Sequence, residues 1–211
     1  DTMSLVTGSP IGNLVTQEEI YLEGAPTLYF QNASATPLFN PDADGFYWGL
    51  SGTTTYPVYE VGCPVDVSFT ENVTINEVLC DNLGVKDTTQ QRNYFEFNLS
   101  LKALFPLDVL SYLLNTGTMV ESAPTQKIPL GKINNTLYWH VYAPKVYDED
   151  NGDYVWIYLH KCKFVDSFTI NMSYGDAWAV TGLKFRSFVD STKPAAQQFG
   201  MMGRIDASAI V

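Results

Sequence analysis

The chain has 211 residues, of which 45% are hydrophobic and 17% are charged, and acidic residues outnumber basic ones by 23 to 12. This size and composition predict a folded globular chain of one large domain or two small ones. No apolar run approaches the roughly 20 residues of a membrane-spanning helix. The net charge of −11 argues against a domain that reads nucleic-acid sequence through a basic face.

The acidic excess lies in the first part of the chain. Residues 1–85 contain eleven acidic residues and no Lys or Arg, whereas residues 86–211 contain twelve of each sign. Chance combined with solubility, repulsion of a polyanion, and a basic surface on a partner all fit this asymmetry. The three cysteines, Cys63, Cys80 and Cys162, cannot all pair internally, which favours reduced thiols and folding in the cytosol.

The first predicted elements are two short strands, 17–22 and 27–31, followed by a long Gly- and Pro-rich loop over 32–57. A long strand is then predicted over 58–80, because apolar and polar residues alternate strictly from Val65 onward. Its polar side carries hydroxyl and amide groups where a solvent-facing strand usually carries Lys and Glu.

The polar segment 81–91 is predicted to be an exposed inter-strand loop, and alternation resumes over 92–103. The period then changes to that of a helix over about 106–115, with Pro106 at its first turn and Gly117 after its end.

Two predicted hairpins follow. Strands 136–147 and 154–162 flank the Asn151-Gly152 turn, and strands 163–174 and 177–190 flank Gly175-Asp176, with a bulge at Gly182. Residues 191–211 show no clear period and are predicted to form a C-terminal arm. We therefore expect a single mainly β domain over 1–211, an antiparallel sandwich or partial barrel with one short helix.

The sequence offers little for catalysis. His140 and His160 both lie in aromatic strands, which predicts core or half-buried positions, and no nucleophile elbow, phosphate loop or metal-binding spacing is present. The acidic residues around Asp148 and Asp150 fit a hairpin turn better than a calcium loop. We therefore expect no catalytic residue, no cofactor and no metal, and expect that the chain is not an enzyme.

Three segments together resemble the major tail tube proteins of long-tailed bacteriophages. They are GCPVDVSFTENVTINEV, then DNLGVKDTTQQRNYFEFNLSLKALFPLDVLSYLLNTG, then CKFVDSFTINMSYGDAWAVTGLKFRSFVD, covering most of 58–190. The likeness is one of pattern and order: a polar-faced strand pair, the segment between them, one short helix and later hairpins.

This resemblance implies a virion protein that assembles in the host cytoplasm into stacked hexameric rings. The implied partners are further copies of the chain and the tape measure, terminator and distal tail proteins, while genomic DNA passes through the lumen without specific binding and no membrane is involved. Six copies with four strands each would give a barrel roughly 45–50 Å wide, which leaves room for duplex DNA.

A hydroxyl and amide lining would explain the unusual polar strand, since it wets the wall without cations that would trap phosphate. A few carboxylates would add mild repulsion. The residues that we expect to face the lumen are Asp66, Ser68, Thr70, Asn72, Thr74, Asn76, Glu96, Asn98, Ser100, Ser167, Thr169, Asn171 and Ser173. The ordinary solvent face of a sandwich is the alternative interpretation of each.

The 81–91 loop and the C-terminal arm are expected to reach neighbouring subunits through Lys86, Asp87, Arg92, Lys193 and Arg204. A carbohydrate- or receptor-binding sandwich is the main alternative function. It would use exposed rings from the set Tyr47, Trp48, Tyr138, Trp139, Trp156 and Trp178. A hydrolase built on paired carboxylates such as Glu18 and Glu19 is a weaker alternative, because nothing fixes their separation.

Overall fold

The structure is a computed structural model. It describes residues 26–34, 58–61, 64–80, 84–101, 120–122, 125–128, 130–131, 137–148, 153–165, 167, 169–172 and 179–205.

The described part of the chain is mainly β, which confirms the predicted fold class. The strands are β1 Leu28–Asn32, β2 Val58–Val61, β3 Pro64–Cys80, β4 Gly84–Leu101, β5 Val120–Ser122, β6 Thr125–Lys127, β7 Trp139–Asp148, β8 Asp153–Val165, β9 Thr169–Asn171, β10 Ala179–Ser187 and β11 Gly200–Ile205. One short 3₁₀ helix, Ala195–Gln197, precedes β11. The predicted helix over 106–115 lies outside the described residues.

Nine of these strands form one antiparallel sheet. Its main path runs β2-β1-β7-β8-β10-β4-β3, while β9 pairs with β10 and β11 pairs with β8; β5 and β6 form a separate pair. On the edge of β8 that faces away from β7, two strands pair in succession. The first part of β8 pairs with β11 and its last part pairs with β10. The predicted pairing of β7 with β8 is confirmed, and so is that of β9 with β10, but residues 163–165 of the predicted strand 163–174 belong to β8. The predicted turns at 151–152 and 175–176 lie outside the described residues.

The sheet curls around its core. Phe30 on β1 and Phe185 on β10 have ring centroids 6.0 Å apart, although β7 and β8 lie between these strands in the sheet. Three strand spacings of about 4.8 Å would separate them much further in a flat sheet. The concave face therefore encloses the core, whose buried members are Leu28, Phe30, Val61, Phe97, Leu99, Leu101, Trp139, Val141, Ala143, Leu159, Cys162, Val180, Leu183 and Phe185.

The predicted bulge at Gly182 is confirmed. The pairing of β10 with β4 shifts register between Val180 and Leu183, and Gly182 has a φ of 81°, a conformation that residues with a Cβ rarely adopt. The bulge keeps Val180, Leu183 and Phe185 all on the core side.

Three other predicted boundaries were wrong. The 58–80 strand is divided into β2 and β3, which lie at opposite ends of the sheet path. Residues 84–91 of the predicted loop belong to β4 and pair with β3, because a backbone ladder does not require apolar side chains. The C-terminal arm contains β11, which adds to the edge of β8. Residues 35–57, 81–83 and 206–211 of the predicted loops and arm lie outside the described residues.

Candidate functional site

The candidate site is the convex face of the sheet, opposite the core. On β3 and β4, Asp66 lies opposite Ser100, Ser68 opposite Asn98 and Thr70 opposite Glu96. Residues directly opposite in an antiparallel pair project to the same side. The intervening pairs, Val67 with Leu99 and Phe69 with Phe97, contribute to the core. We call the part of this convex surface that carries hydroxyl, amide and carboxylate groups, on β3, β4 and β9, the polar face.

The polar face collects most of the side chains that the sequence singled out as lumen-facing. Its members among them are Asp66, Ser68, Thr70, Asn72, Thr74, Asn76, Glu96, Asn98, Ser100, Thr169 and Asn171. Thr169 and Asn171 are exposed on β9. On β10, Thr181 lies opposite Thr169 and Ala179 lies opposite Asn171. Ser167 is exposed between β8 and β9, and Ser173 lies outside the described residues.

The exposure of this face varies between its strands. Asp66, Ser68 and Thr70 on β3 are exposed, whereas Asn98 and Ser100 on β4 are half-buried, since β4 lies between β3 and β10. The Asn98 Oδ1 atom is buried without a hydrogen-bond partner in the described structure. The outermost strand therefore offers the most accessible hydroxyl groups.

Glu96 differs from the expectation of a repelling carboxylate. It is only 8% exposed, and its Oε2 atom accepts hydrogen bonds from Nε and Nη2 of Arg186, at 2.9 and 2.8 Å. Arg186 lies directly opposite on β10, and its guanidinium carbon is 4.1 Å from the Tyr94 ring centroid. The charge of Glu96 is thus compensated within the sheet.

Beyond the end of β10, the two strands continue alone. β10 pairs with β4 only from Glu96 onward, so residues 71–80 of β3 and 84–94 of β4 form a two-stranded projection that we call the hairpin arm. Val73 and Ile75 lie on the arm surface that continues the core side, and they are 39% and 57% exposed. Among the described residues, the two strands of the arm pair only with each other, and a two-stranded hairpin without further packing is marginally stable.

A bulge at the base of the arm keeps the polar pattern on one side. The pairing shifts register between Asn72 and Val73, and the Asn93 Nδ2 atom donates hydrogen bonds of 2.7 Å to Asn72 Oδ1 and Thr74 Oγ1. Beyond the bulge, Thr74 lies opposite Gln91. Hydroxyl and amide groups therefore continue on this side of the arm through the Asn76 and Thr89 pair.

The predicted contact residues fall in three places. Arg92 is exposed on the arm and forms an ion pair with Glu71 across the hairpin. Lys86 and Asp87 belong to the arm strand β4, Lys193 is half-buried between β10 and β11, and Arg204 is exposed on β11. Their contact with other subunits stays a prediction.

Sequence reasoning missed a group of cations on the same convex surface. Lys161 and Lys163 lie on β8, and Lys184 and Arg186 on β10, with Lys163 directly opposite Arg186. We call these four side chains the basic strip. The signal was present in the sequence, because KCK at 161–163 and KFR at 184–186 place pairs of cations on one side of a strand.

The aromatic residues of the alternative function are mostly not exposed rings. Trp139 and Trp156 are buried, and Tyr138 is half-buried with the Nζ atoms of Lys161 and Lys163 at 4.8 and 4.3 Å from its centroid. Tyr47, Trp48 and Trp178 lie outside the described residues. The described structure therefore presents no stacking platform built from this set.

Both histidines take the predicted structural positions. His140 is half-buried on β7 with its Nδ1 atom 3.0 Å from the Tyr158 hydroxyl, and His160 is buried on β8 against the same ring. Burial raises the pKa of Tyr158 above its ordinary value. Tyr158 joins Tyr142 and Trp156 in a second packed cluster on the convex side.

Within the described ranges, no group of three or more potential metal ligands is found, and no helix has the length and apolar character to cross a membrane. A largely apolar pocket of about 520 Å³ lies at the base of the arm, and Arg92 is the charged residue in its lining.

Comparisons with known proteins give no assignment: no family model matches the chain, and neither does any curated protein.

Proposed function

We propose that the chain is a structural, non-enzymatic subunit of a bacteriophage tail tube, in which hexameric rings stack and genomic DNA passes through the lumen. The observation that carries this proposal is the polar face. Ser68 and Thr70 form an exposed row of hydroxyl groups on β3, beside the half-buried Asn98 and Ser100 on β4. Such a surface holds water against a passing polyanion without strong local attraction.

The edges of the sheet support assembly. β3 is an edge strand of 17 residues, and among the described residues only β4 pairs with it. Long unpaired edges tend to add further strands, and closing a sheet into a barrel removes them. In the proposed tube, β3 therefore joins the sheet of a neighbouring copy, and the polar face becomes the inner wall.

The hairpin arm supports contacts between copies. Val73 and Ile75 expose apolar surface on a projection whose two strands, among the described residues, pair only with each other. Exposed apolar side chains that project together favour an interface between proteins. In the proposed tube, the apolar side of the arm packs against another subunit, and the tape measure, terminator and distal tail proteins are further partners in the virion.

Electron microscopy of the purified protein tests this proposal. The wild-type protein is expected to form rings or tubes with a central hole. The Val73→Asp/Ile75→Asp variant is expected to stay a folded single subunit, because it places charge on the arm surface that we propose is buried.

The matched control is Thr74→Asp/Asn76→Asp, which adds the same two charges to the opposite side of the arm. This control should still assemble. A wild-type protein that remains monomeric under all conditions contradicts the proposed function, whereas assembly of both double variants contradicts only the role given to the arm.

A further inference from the structure

The basic strip is unexpected on a chain with a net charge of −11. Four of the twelve basic residues lie on two adjacent strands and on the same side of the sheet as the polar face. The register shows this directly, since Lys184 lies opposite Asn98 on β4, and Arg186 lies between Glu96 on β4 and Lys163 on β8. The strip is therefore one or two strand spacings, roughly 5–10 Å, from the hydroxyl and amide groups.

The strip concentrates like charges. Cations that lie directly opposite each other on paired strands disfavour the pairing, as Lys163 and Arg186 do here. Aromatic rings accommodate part of this charge: Tyr138 contacts two ammonium groups and Tyr94 contacts the Arg186 guanidinium. Carboxylates balance part of this charge as well, since Glu96 binds Arg186 and the charge of Lys161 acts on Asp190. The strip is therefore a cluster of half-buried cations on a chain whose overall charge is −11.

The composition around the strip fits a phosphate backbone better than a protein surface. Contacts to DNA phosphates come from Lys and Arg together with Ser, Thr, Asn, Gln and Tyr, and these are the types on the polar face. The cores of protein interfaces are instead depleted in Lys and Ser. Within the described residues, the polar face next to the strip carries Asn98 and Ser100, while the exposed apolar pair Val73 and Ile75 lies on the opposite side of the arm.

We propose that the basic strip binds the phosphate backbone of duplex DNA, weakly and without sequence preference. This inference rests on the proposed function in one respect, namely that the subunit encounters DNA in the lumen of the tube. In this proposal Lys161 and Lys163, whose Nζ atoms lie over the Tyr138 ring, contact the phosphates. The lumen wall would then combine phosphate contacts on β8 and β10 with a surface of hydroxyl, amide and carboxylate groups on β3 and β4, along which DNA slides.

Binding of unassembled subunits to a fluorescent duplex of about 30 base pairs, between about 25 and 200 mM salt, tests the proposal directly. The variant is Lys161→Gln/Lys163→Gln, which retains most of each side-chain stem. Removing two phosphate contacts should make the dependence of log K on log[salt] shallower by about 2, and should lower the affinity on the order of tenfold or more at the lowest salt.

Two further variants control for charge and folding. Lys127→Gln removes one exposed cation outside the strip, on β6, and should leave the slope unchanged. Lys161→Arg/Lys163→Arg keeps the charge and should retain binding, which separates loss of cations from a disturbed fold.

Unchanged DNA affinity in Lys161→Gln/Lys163→Gln, or no wild-type binding at the lowest salt, would overturn the inference. So would a folded Lys161→Gln/Lys163→Gln subunit that loses tube assembly but keeps its DNA affinity, because the strip would then be a protein contact. Lysine-dependent DNA binding by a subunit that never forms tubes would support this inference while contradicting the proposed function.

Discussion

The two halves of the β3–β4 hairpin have the same alternating sequence pattern but different surroundings. In the base, residues 64–70 and 95–101, the apolar side packs into the core, where Phe97 and Leu99 are almost fully buried. In the hairpin arm, the apolar side of β3 is exposed at Val73 and Ile75. Alternation therefore predicts an extended strand with an apolar side, but whether that side is buried depends on a second layer of structure.

The difference begins where β10 ends its pairing with β4. Phe69 stacks on Phe95 and contacts Phe97 in the base, so three rings close the core at this point. One step further, Arg92 and Glu71 form an exposed ion pair on the same side. The core side of the base is thus packed within one chain, whereas we propose that the same side of the arm packs against another copy.

Amide hydrogen exchange should show the largest difference between the base and the hairpin arm. Amides of residues 97–101 are expected to exchange only on global unfolding, which costs about 5–15 kcal/mol in a domain of this kind. Amides of residues 88–92 should exchange through local opening costing about 0–2 kcal/mol in the single subunit, and should gain protection in the assembled form. Uniform protection along the whole hairpin of the single subunit would contradict the division into base and arm.

Truncating one large side chain in each half sharpens the comparison. Phe97→Ala should lower the free energy of unfolding by about 3–5 kcal/mol, because it opens a cavity in the core. Ile75→Ala should change the free energy of unfolding of the single subunit by about 0.5 kcal/mol or less, since its side chain is largely exposed. Denaturant unfolding of both variants measures these free energies. Equal decreases for Phe97→Ala and Ile75→Ala would contradict the claim that the apolar side of the arm is exposed in the single subunit.

The two ion pairs of the hairpin should also differ. Arg186→Met leaves the buried Glu96 carboxylate without its guanidinium and should cost about 1–3 kcal/mol. Arg92→Met breaks an exposed pair and should cost at most about 1 kcal/mol.

The double variant Glu96→Met/Arg186→Met provides the matched control, because it removes both charges and should recover part of the loss. Equal costs for Arg186→Met and Arg92→Met, or no recovery in the double variant, would show that burial does not distinguish the pairs.

The smallest effect is expected in the segment between β10 and β11, which is exposed like the arm but anchored by hydrogen bonds. Burial alone would raise the pKa of Asp190, but hydrogen bonds from Thr192 and the charges of Lys161 and His160 lower it below its ordinary value. Because the pKa is lower in the folded state, ionised Asp190 stabilises the protein at pH values above the ordinary pKa of 3.8. This stabilisation is lost as the pH falls through the folded-state pKa.

Asp190→Asn should therefore cost at most about 1 kcal/mol at pH 7, and the difference from wild type should disappear in acid. Thermal unfolding across pH measures it, with Thr192→Ala as a milder comparison. A difference that persists at a pH below the folded-state pKa would assign the effect to packing and not to charge.

The sequence predicted the β-rich fold, the bulge at Gly182 and the polar row from Asp66 to Asn76, since each depends on local alternation or on glycine. It did not predict the pairing of residues 84–91 with β3, because these residues are polar on both sides and give no two-residue period. The return of residues 200–205 to β8 was also missed, since long-range pairing leaves little local signal.

The candidate site was predicted in part. The hydroxyl and amide members of the polar face follow from their even spacing, but the pairing of Glu96 with Arg186 requires β10 to lie next to β4. Lys161, Lys163 and Lys184 reach the same surface through strand order, which alternation within a single segment does not determine. Residues that act across strands were therefore the ones that sequence reasoning missed.

A reconstruction by electron microscopy of the assembled protein, at a resolution that identifies β3, tests the central claim most directly. We predict a closed ring in which Ser68, Thr70 and Asn72 line a central channel wide enough for duplex DNA. An assembly with these three side chains on its outer surface, or particles that enclose no channel, would contradict the account.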